Sequence, residues 1–571
     1  MFIKTTKAKG YEYIKLVESY RENGTTKHRL LYNFGRADLI KNDESFLRIV
    51  KRLCEIAEIP VNKSKNTETI SPFDDCSEAT LHNYGYLAYK KLWKDIGIDD
   101  CLYEIQHYGT KINYNLSETV FFMAVQHLLE PKSKLAAYQR QHRYFKMNEI
   151  ELCHMYRALD QLQKHKDDIE NELFEYNYVR LNKQVDVVFY DVTTIHFESV
   201  AADELKDFGF SKNCKFNEVQ VVMGLIIDVD GIPIGYELFP GNTFDGKTML
   251  GALNNIKNRF GINRVIIVAD RGINCKKNLH LIKKAGYGYI VSSRIKSMDK
   301  AKTIKILNSE GFTVTKNKND EELFCYKILE HTNIFKDENG VKHILPENLI
   351  ITYSPKRADK DQKDRERLIE KAKKLLKNPE KIKASNKRGG KKYIQSNGPE
   401  NTSWSLALDK VEIDSNFDGY YGIQTSEKNM TAAEIIEVYH TLWKIEDSFR
   451  VMKSTLEVRP VFHWTPKRIK GHFVVCFLAF LMERTMELLL KDGNEILSSP
   501  KRIQEALNTM QLASVTVNGD EMFIKASCLP LANKIFKRLG LEIPANISNK
   551  SDLYKRLQLE LEPQTIQLSF F

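Results

Sequence analysis

The chain has 571 residues, 86 Lys+Arg and 75 Asp+Glu for a formal net charge of +11, with 42% hydrophobic and 10% aromatic residues. That length is too great for one compact core and that composition excludes global disorder, so about two to four folded domains are expected. The basic excess is compatible with a polyanionic partner without demanding one, while nine scattered cysteines, none at C-x-x-C spacing, argue against a disulfide framework or a Cys-pair zinc motif.

The N-terminal stretch MFIKTTKAKGYEYIKL lacks the apolar core of a signal peptide. Residues 11–34 predict a β-hairpin, because YEYIKLVESY and KHRLLYNF flank Glu22-Asn23-Gly24-Thr25 and Asn-Gly suits a tight turn. SFLRIVKRLCEIA (45–57) has helical periodicity and completes an N-terminal region over 1–60, and the polar linker PVNKSKNTETISPFDDC separates it from the rest of the chain.

Residues 77–180 are helical in pattern. One helix ends near Gly97, another runs from about Leu116 to Leu129 and stops at Pro131, and a third starts at Ser133 with Lys134, Arg140, His142 and Arg143 along it. The short Glu130-Pro131-Lys132 joint has two readings: a helix-turn-helix unit that lays a basic helix on DNA, or a plain bundle with solvated charges. The region as a whole is expected to contact DNA.

The texture changes at residue 185. VDVVFYDVTT is a continuous apolar run of the kind a buried strand shows. VVMGLIIDVDGIPIGYELF predicts two more strands around an Asp230-Gly231 turn, TMLGALNNIKNRFG a helix, and RVIIVAD a fourth strand. Three strands, a helix and a strand, with acids closing the first and last, predict an α/β fold with a ribonuclease-H-like core, its first part over 181–271. Residues 272–430 interrupt that core as a β-rich insertion with the strand-like runs YGYIVSS, LFCYKIL and ENLIITYS. The insertion also holds the basic segment Lys356 to Lys392, which reads equally as a DNA-facing element or as an exposed salt-bridged helix. The second part of the core is placed at 431–490 and a helical C-terminal region at 491–571. The most apolar stretch, Phe473 to Met482, is too short to span a bilayer and runs into Glu483 and Arg484, so a cytoplasmic protein with no membrane partner is expected.

Three acids stand out. Asp191 closes VVFYD and Asp270 closes VIIVAD, and α/β sheets place their sites at the C-terminal ends of strands. A lone strand-end Asp is commonly a turn cap; two such acids point more strongly to a shared site. Glu446 lies in YHTLWKIEDSFRVMKS, where Tyr439, Trp443, Glu446, Arg450 and Lys453 occur at i, i+4, i+7, i+11 and i+14 and so share one stripe of a continuous helix. Such a stripe suits a carboxylate on a metal beside cations on phosphates. The plain alternative is an amphipathic helix with a Glu446–Arg450 pair. Cutting a phosphodiester requires charge compensation at phosphorus, which two divalent ions about 3.5–4 Å apart provide when acids from different elements converge on them.

These motifs resemble the DDE transposases of bacterial insertion sequences, in the superfamily with a Tyr-x2-Arg-x3-Glu-x6-Lys signature. The signature is carried here by Tyr439, Glu446 and Lys453, with Leu442 in the Arg position and Lys444 or Arg450 nearby as substitute charges. YDVTTIHFES resembles the family's first-acid motif and VADRGI, with Arg271, its second. The block GFSKNCKFNEVQVVMGLIIDVDGIPIGYELFPGNTFDGKT between them is similar too, and holds Lys212 and Asn242-Thr243. The long separation of Asp270 from Glu446 fits the branch with a β-rich insertion, and RPVFHWTPKRIKGHF resembles one of its subgroups.

The resemblance implies Asp191, Asp270 and Glu446 as catalytic metal ligands for two Mg²⁺ or Mn²⁺ ions. It implies DNA contacts from Tyr439, Arg450, Lys453, Lys212 and Arg271. It further implies binding of terminal inverted repeats and target DNA by a homodimer in a synaptic complex, cut-and-paste transposition, and a nucleoid-associated place in the bacterial cytosol. In some relatives an aromatic residue of the insertion stabilises a flipped base at a DNA hairpin. Trp404 occupies such a location, against the reading that it packs in a β core. Two other readings of the whole chain are a ribonuclease-H-like nuclease without strand transfer and a transposase-derived DNA-binding protein that no longer cuts.

Overall fold

A computed structural model describes the chain except for residues 9, 23–24, 41–42, 57–79, 109–110, 198–200, 210–217, 244–247, 249–250, 252–258, 261–264, 271, 317–321, 338, 379–381, 383–388, 397–403, 460, 493–494, 497, 518–519 and 560–571. It falls into two compact units, Met1–Asp75 and Cys76–Phe571.

In the first unit, β1 (Phe2–Ala8), β2 (Tyr11–Glu22) and β3 (Thr25–Arg36) form an antiparallel sheet in that order, followed by helices Ala37–Ile40 and Glu44–Ile56. The expected hairpin is the β2–β3 pair, in register from Tyr13↔Arg36 to Glu22↔Thr25, and β1 adds a third strand. The Asn23-Gly24 turn and the linker at 60–76 lie outside the described residues.

The second unit opens with β4 (Thr80–Asn83) and a group of helices. The Leu87–Asp95 helix stops before Gly97, whose φ of 79° is the left-handed conformation that glycine tolerates best. The Leu116–Leu129 helix starts where Asn115 Oδ1 accepts the Glu118 N–H at 2.9 Å, and it is buried along nearly its whole length. The basic helix expected from Ser133 is corrected by the structure. The helix Lys134–Gln139 has six residues, Lys134 is buried, and Arg140 and Arg143 lie 2.6 and 3.4 Å from Glu130. Of the cations of that segment only Lys134 is withdrawn from the surface; Arg140 and Arg143 are exposed and lie against Glu130 beyond the end of the helix.

The central sheet has nine strands. In chain order they are β5 (Val187–His196), β6 (Gln220–Ile227), β7 (Pro233–Pro240), β8 (Ile266–Ala269), β9 (Gly288–Ser292), β10 (Thr313–Lys316), β11 (Glu322–Lys336) and β12 (Lys342–Tyr353); then, after a separate two-stranded hairpin of β13 (Ile394–Ser396) and β14 (Trp404–Leu406), β15 (Tyr420–Thr425). The order across the sheet is β10-β11-β12-β15-β9-β8-β5-β6-β7. β8 runs parallel to both β5 and β9, and the other neighbours are antiparallel. β6 is buried at every position, as its unbroken apolar run requires. The β6–β7 turn closes where the Asp228 carboxylate accepts the N–H groups of Asp230 and Ile232 at 2.9 and 2.8 Å. The helix expected at TMLGALNNIKNRFG falls largely outside the described residues. Residues 272–430 do not stand apart from the core: β9, β10, β11, β12 and β15 all extend the same sheet, and the Pro355–Leu376 helix comes directly after β12.

The C-terminal region carries the minor pair β16 (Lys491–Asp492) and β17 (Glu495–Ile496), then β18 (Gln511–Val517), β19 (Asp520–Lys525) and β20 (Ile547–Asn549). The last three form a four-stranded sheet with β4 in the order β20-β19-β18-β4, beside helices Pro500–Asn508, Pro530–Arg538 and Lys550–Arg556. The expectation of a purely helical tail is thereby corrected. The 24-residue Pro466–Leu489 helix runs through the main core with most of its side chains buried. Among the described residues, no helix is long and apolar enough to cross a membrane.

Candidate active site

β5 and β8 bring two acids to one edge. Their parallel register pairs Val187 with Ile266, Val188 with Ile267 and Phe189 with Val268. Asp191 and Asp270 each come two residues after the last of these pairs, at the same end of two adjacent strands. β8 ends at Ala269, whereas β5 continues to His196 against β6, with Asp191 opposite Leu225. Asp191 is therefore a mid-strand residue, not the strand end expected; β6 alone supports β5 beyond that point. Asp191 is half-buried and its Oδ1 accepts the Val192 N–H at 2.8 Å. Asp270 is exposed, and its backbone carbonyl accepts the Ile273 N–H at 3.2 Å as the chain turns away.

The third acid comes from a helix that the sequence does not divide but the structure does. The expected single stripe is broken: one helix spans Ala432–His440, the next Trp443–Ser454, and Thr441 and Leu442 form the turn between them. Leu442 is 7% exposed and packs in the core, so the signature's Arg position holds an apolar anchor. Tyr439, before the break, is buried; its hydroxyl shares a 2.6 Å hydrogen bond with Tyr421 of β15, which lies 2.7 Å from Ser292 of β9. Burial first, then Tyr421 and the Asp270 charge, raise the Tyr439 phenol well above its usual range. That coupling puts Tyr439 beside the Asp270 edge as a buried brace between this helix and the sheet.

After the break, Glu446 is exposed, and Lys453 two turns later lies on the same helical face. The Lys453 ammonium donates to Thr193 Oγ1 of β5. Thr193 and Asp191 are two apart on one strand and point to the same face, so Lys453 reaches the side of β5 that carries Asp191. Near the helix start, Lys444 donates to the Val229 carbonyl at the β6–β7 turn. The helix thus runs along β5 in the strand's own direction. Arg450 pairs with Asp447 and leaves Glu446 alone; Asp447 is also held 2.7 Å from buried Arg484. Neither Lys444 nor Arg450 replaces the missing signature Arg beside Glu446. Among the described residues, the side chains of Asp270 and Glu446 have no hydrogen-bond or ion-pair partner, an arrangement that leaves carboxylate oxygens open to a cation.

The three acids are not drawn together on one point. Among the described residues, the only His, Cys, Asp or Glu trio with ligand atoms all within 4.8 Å of one another is His127, His472 and Cys476. A pair of ions spaced about 3.5–4 Å apart does not require its carboxylates to touch, and hard oxygen donors at a solvent-open strand edge fit Mg²⁺ or Mn²⁺ with retained water.

Other expected contacts fall elsewhere. Lys212 and Arg271 lie outside the described residues. Asn242 donates to Asp207 at 2.7 Å. Trp404, opposite Ser396 in the β13–β14 hairpin, packs on a small cluster with Ala372, Tyr393 and Ile394, as the β-core reading of that residue has it. Sequence reasoning missed Thr193, Tyr421 and Ser292. YDVTT placed Thr193 on the correct strand, but Tyr421 and Ser292 are recruited by pairing across the sheet and leave no local signal.

Residues 3–63 match the family model described as IS1634 family transposase, N-terminal domain, and residues 183–482, more than half of the chain, match the one described as Transposase DDE domain. No curated protein matches. Among solved structures, the chain resembles one described as the cryo-EM structure of a piggyBac transposase synaptic complex with hairpin DNA, at 10% identity and a TM-score of 0.35, over 86% of this chain and 89% of that one.

Proposed function

The chain belongs to the transposase DDE family and is an insertion-sequence transposase, an enzyme that hydrolyses and rejoins DNA phosphodiester bonds, and we propose that Asp191, Asp270 and Glu446 are the acids with which it does so. The observation that supports this reading is that Asp191 and Asp270 follow the paired stretch of two adjacent parallel strands at the same end, with the Glu446 helix tied to β5 by Lys453 and Thr193. The sheet order β9-β8-β5-β6-β7, a three-strand meander flanked by parallel strands, supports a ribonuclease-H-like core.

On this reading these three carboxylates would hold two Mg²⁺ or Mn²⁺ ions, which when bound would activate the attacking oxygen and stabilise the leaving one. The remaining work falls to this chain's own groups. Lys453, whose ammonium now rests on Thr193, moves by side-chain rotation onto a phosphate at the Asp191 face and fixes the strand being cut. Tyr439, bonded to Tyr421, braces the Ala432–His440 helix, which leads into the Glu446 helix, against the sheet. Arg484 clamps Asp447 and holds the exposed face of that helix in one rotation. The DNA substrates are the element's terminal inverted repeats and its target, engaged by a homodimer in the bacterial cytosol.

The test is Mg²⁺-dependent cleavage and strand transfer on the native element ends. Both reactions are expected with the unmutated chain. Cleavage without joining would reduce the enzyme to a nuclease, and full activity in all three of Asp191→Asn, Asp270→Asn and Glu446→Gln would remove the proposed acids.

A further inference from the structure

A second cluster of metal-ligating side chains lies inside the helical core, away from the acidic edge. We propose that His127, His472 and Cys476 form a binding site for a borderline-soft divalent cation of the zinc class, held by two imidazole nitrogens and one thiolate. His472 and Cys476 are one turn apart on one face of the Pro466–Leu489 helix, and His127 faces them from the Leu116–Leu129 helix. All three are at most 4% exposed, and their ligand atoms lie within 4.8 Å of one another.

The spacing is a few tenths of an ångström wider than a filled coordination shell: Cys476 Sγ is 4.0 Å from His127 Nε2. A tetrahedral ion with Zn–S about 2.3 Å and Zn–N about 2.0–2.1 Å sets the S···N edge at about 3.6 Å. The imidazoles are oriented as metal ligands are. His127 Nδ1 lies 2.8 Å from the Leu456 carbonyl; a carbonyl only accepts, so Nδ1 carries the proton and Nε2 turns its lone pair to the cluster. By the same reasoning His472 Nε2 carries the proton and donates to the Val458 carbonyl at 3.1 Å, so the nitrogen left for a cation is Nδ1, which is buried without a hydrogen-bond partner, an unusual state for an interior nitrogen.

A cavity of about 330 Å³, lined by His127, His463, His472, Lys132, Lys134 and Glu457, gives a cation a way in and leaves His463 or water for the fourth position. Lys134 faces the cluster, with its Nζ 3.4 Å from His127 Nε2. In this structure the Lys134 ammonium occupies the His127 lone pair, so a cation must displace it and bind Cys476 as the thiolate. Both histidines also hold the backbone at Leu456 and Val458, a few residues after Lys453. The ion would thus staple two core helices to the segment that ends the Glu446 helix.

The experiment uses the full chain, stripped by a chelator and then equilibrated with Zn²⁺ alone or Co²⁺ alone. About one Zn²⁺ per chain should survive extensive dialysis, and the Co²⁺ form should show a thiolate-to-cobalt charge-transfer band. Both signals should disappear in Cys476→Ala and His127→Ala and persist in Asp270→Asn, which separates this site from the acidic edge. X-ray absorption at the zinc edge of the unmutated chain needs no variant and should show one sulfur and at least two nitrogen neighbours. No retained zinc, a shell without sulfur, or a stoichiometry unchanged in folded Cys476→Ala and His127→Ala would overturn the site.

Discussion

Two groups of acids in the large unit have opposite surroundings. Asp270 and Glu446 are exposed and, among the described residues, carry no ion pair. Glu170 is 1% exposed, pairs with Arg259, and lies 3.1 Å from Lys166; Glu237, 3.0 Å from Lys166 and 3.2 Å from Arg259, closes the same network. Burial raises the Glu170 pKa, while Lys166 and Arg259 pull it back. The buried acid must be neutralised by the protein because water cannot solvate it. The exposed acids are solvated and need no protein partner, so a cation can take them at little cost. Among the described residues, the protein's cations neutralise the structural acids and none pairs with Asp270 or Glu446.

Six substitutions break or sharpen that contrast. The largest effect is expected at the edge: Asp191→Asn, Asp270→Asn or Glu446→Gln should each lower Mg²⁺-dependent cleavage by about 10³-fold or more. Stability should stay within about 0.5 kcal/mol for the exposed Asp270 and Glu446. An unfolded Asp270→Asn protein in a thermal melt would show that this acid is structural after all.

Glu170→Ala should do the reverse. It leaves the half-buried Lys166 and Arg259 still paired with Glu237 and should cost about 1–3 kcal/mol in denaturant unfolding of the large unit; an unchanged midpoint would erase the distinction between the two groups. Lys453→Ala should leave stability nearly unchanged. It should weaken binding of cleaved ends and lower the slope of log affinity against log salt by about 0.9, one phosphate contact. A constant slope would remove Lys453 from the phosphate contacts. Smallest is Tyr439→Phe, which removes a buried hydroxyl bonded to Tyr421 and should cost about 0.5–1.5 kcal/mol while cleavage persists. A collapse of cleavage at full stability would return the Tyr439 hydroxyl to the DNA.

The parts of this site that the sequence displayed are those set by local pattern. The apolar runs of β5, β6 and β8 and the Asp230-Gly231 turn marked the strands, and two acids closing two such runs marked the edge. Family resemblance, more than periodicity, singled out Glu446. The break at Leu442 carried no warning, since no Gly or Pro interrupts HTLWKI and the residue that makes the turn is apolar and buried. Lys134 read as a surface cation because burial of one lysine is a tertiary event. β18 and β19 were legible in principle: QLASVTV and DEMFIK alternate around Asn518-Gly519. The extension of the sheet through β11, β12 and β15 depends on pairings between strands far apart in the chain. The meeting of His127 with His472 and Cys476 depends on helix packing, and no spacing rule foretells it.

The most direct test of the central claim is metal rescue of Asp270→Cys in the cleavage assay on native element ends. A carboxylate that binds the ion directly, once exchanged for a softer thiolate, should give a protein inactive in Mg²⁺ and substantially restored in Mn²⁺. Equal loss in both metals, or equal activity in both, would contradict the assignment of Asp270 as a ligand and with it the shared site at the β5–β8 edge.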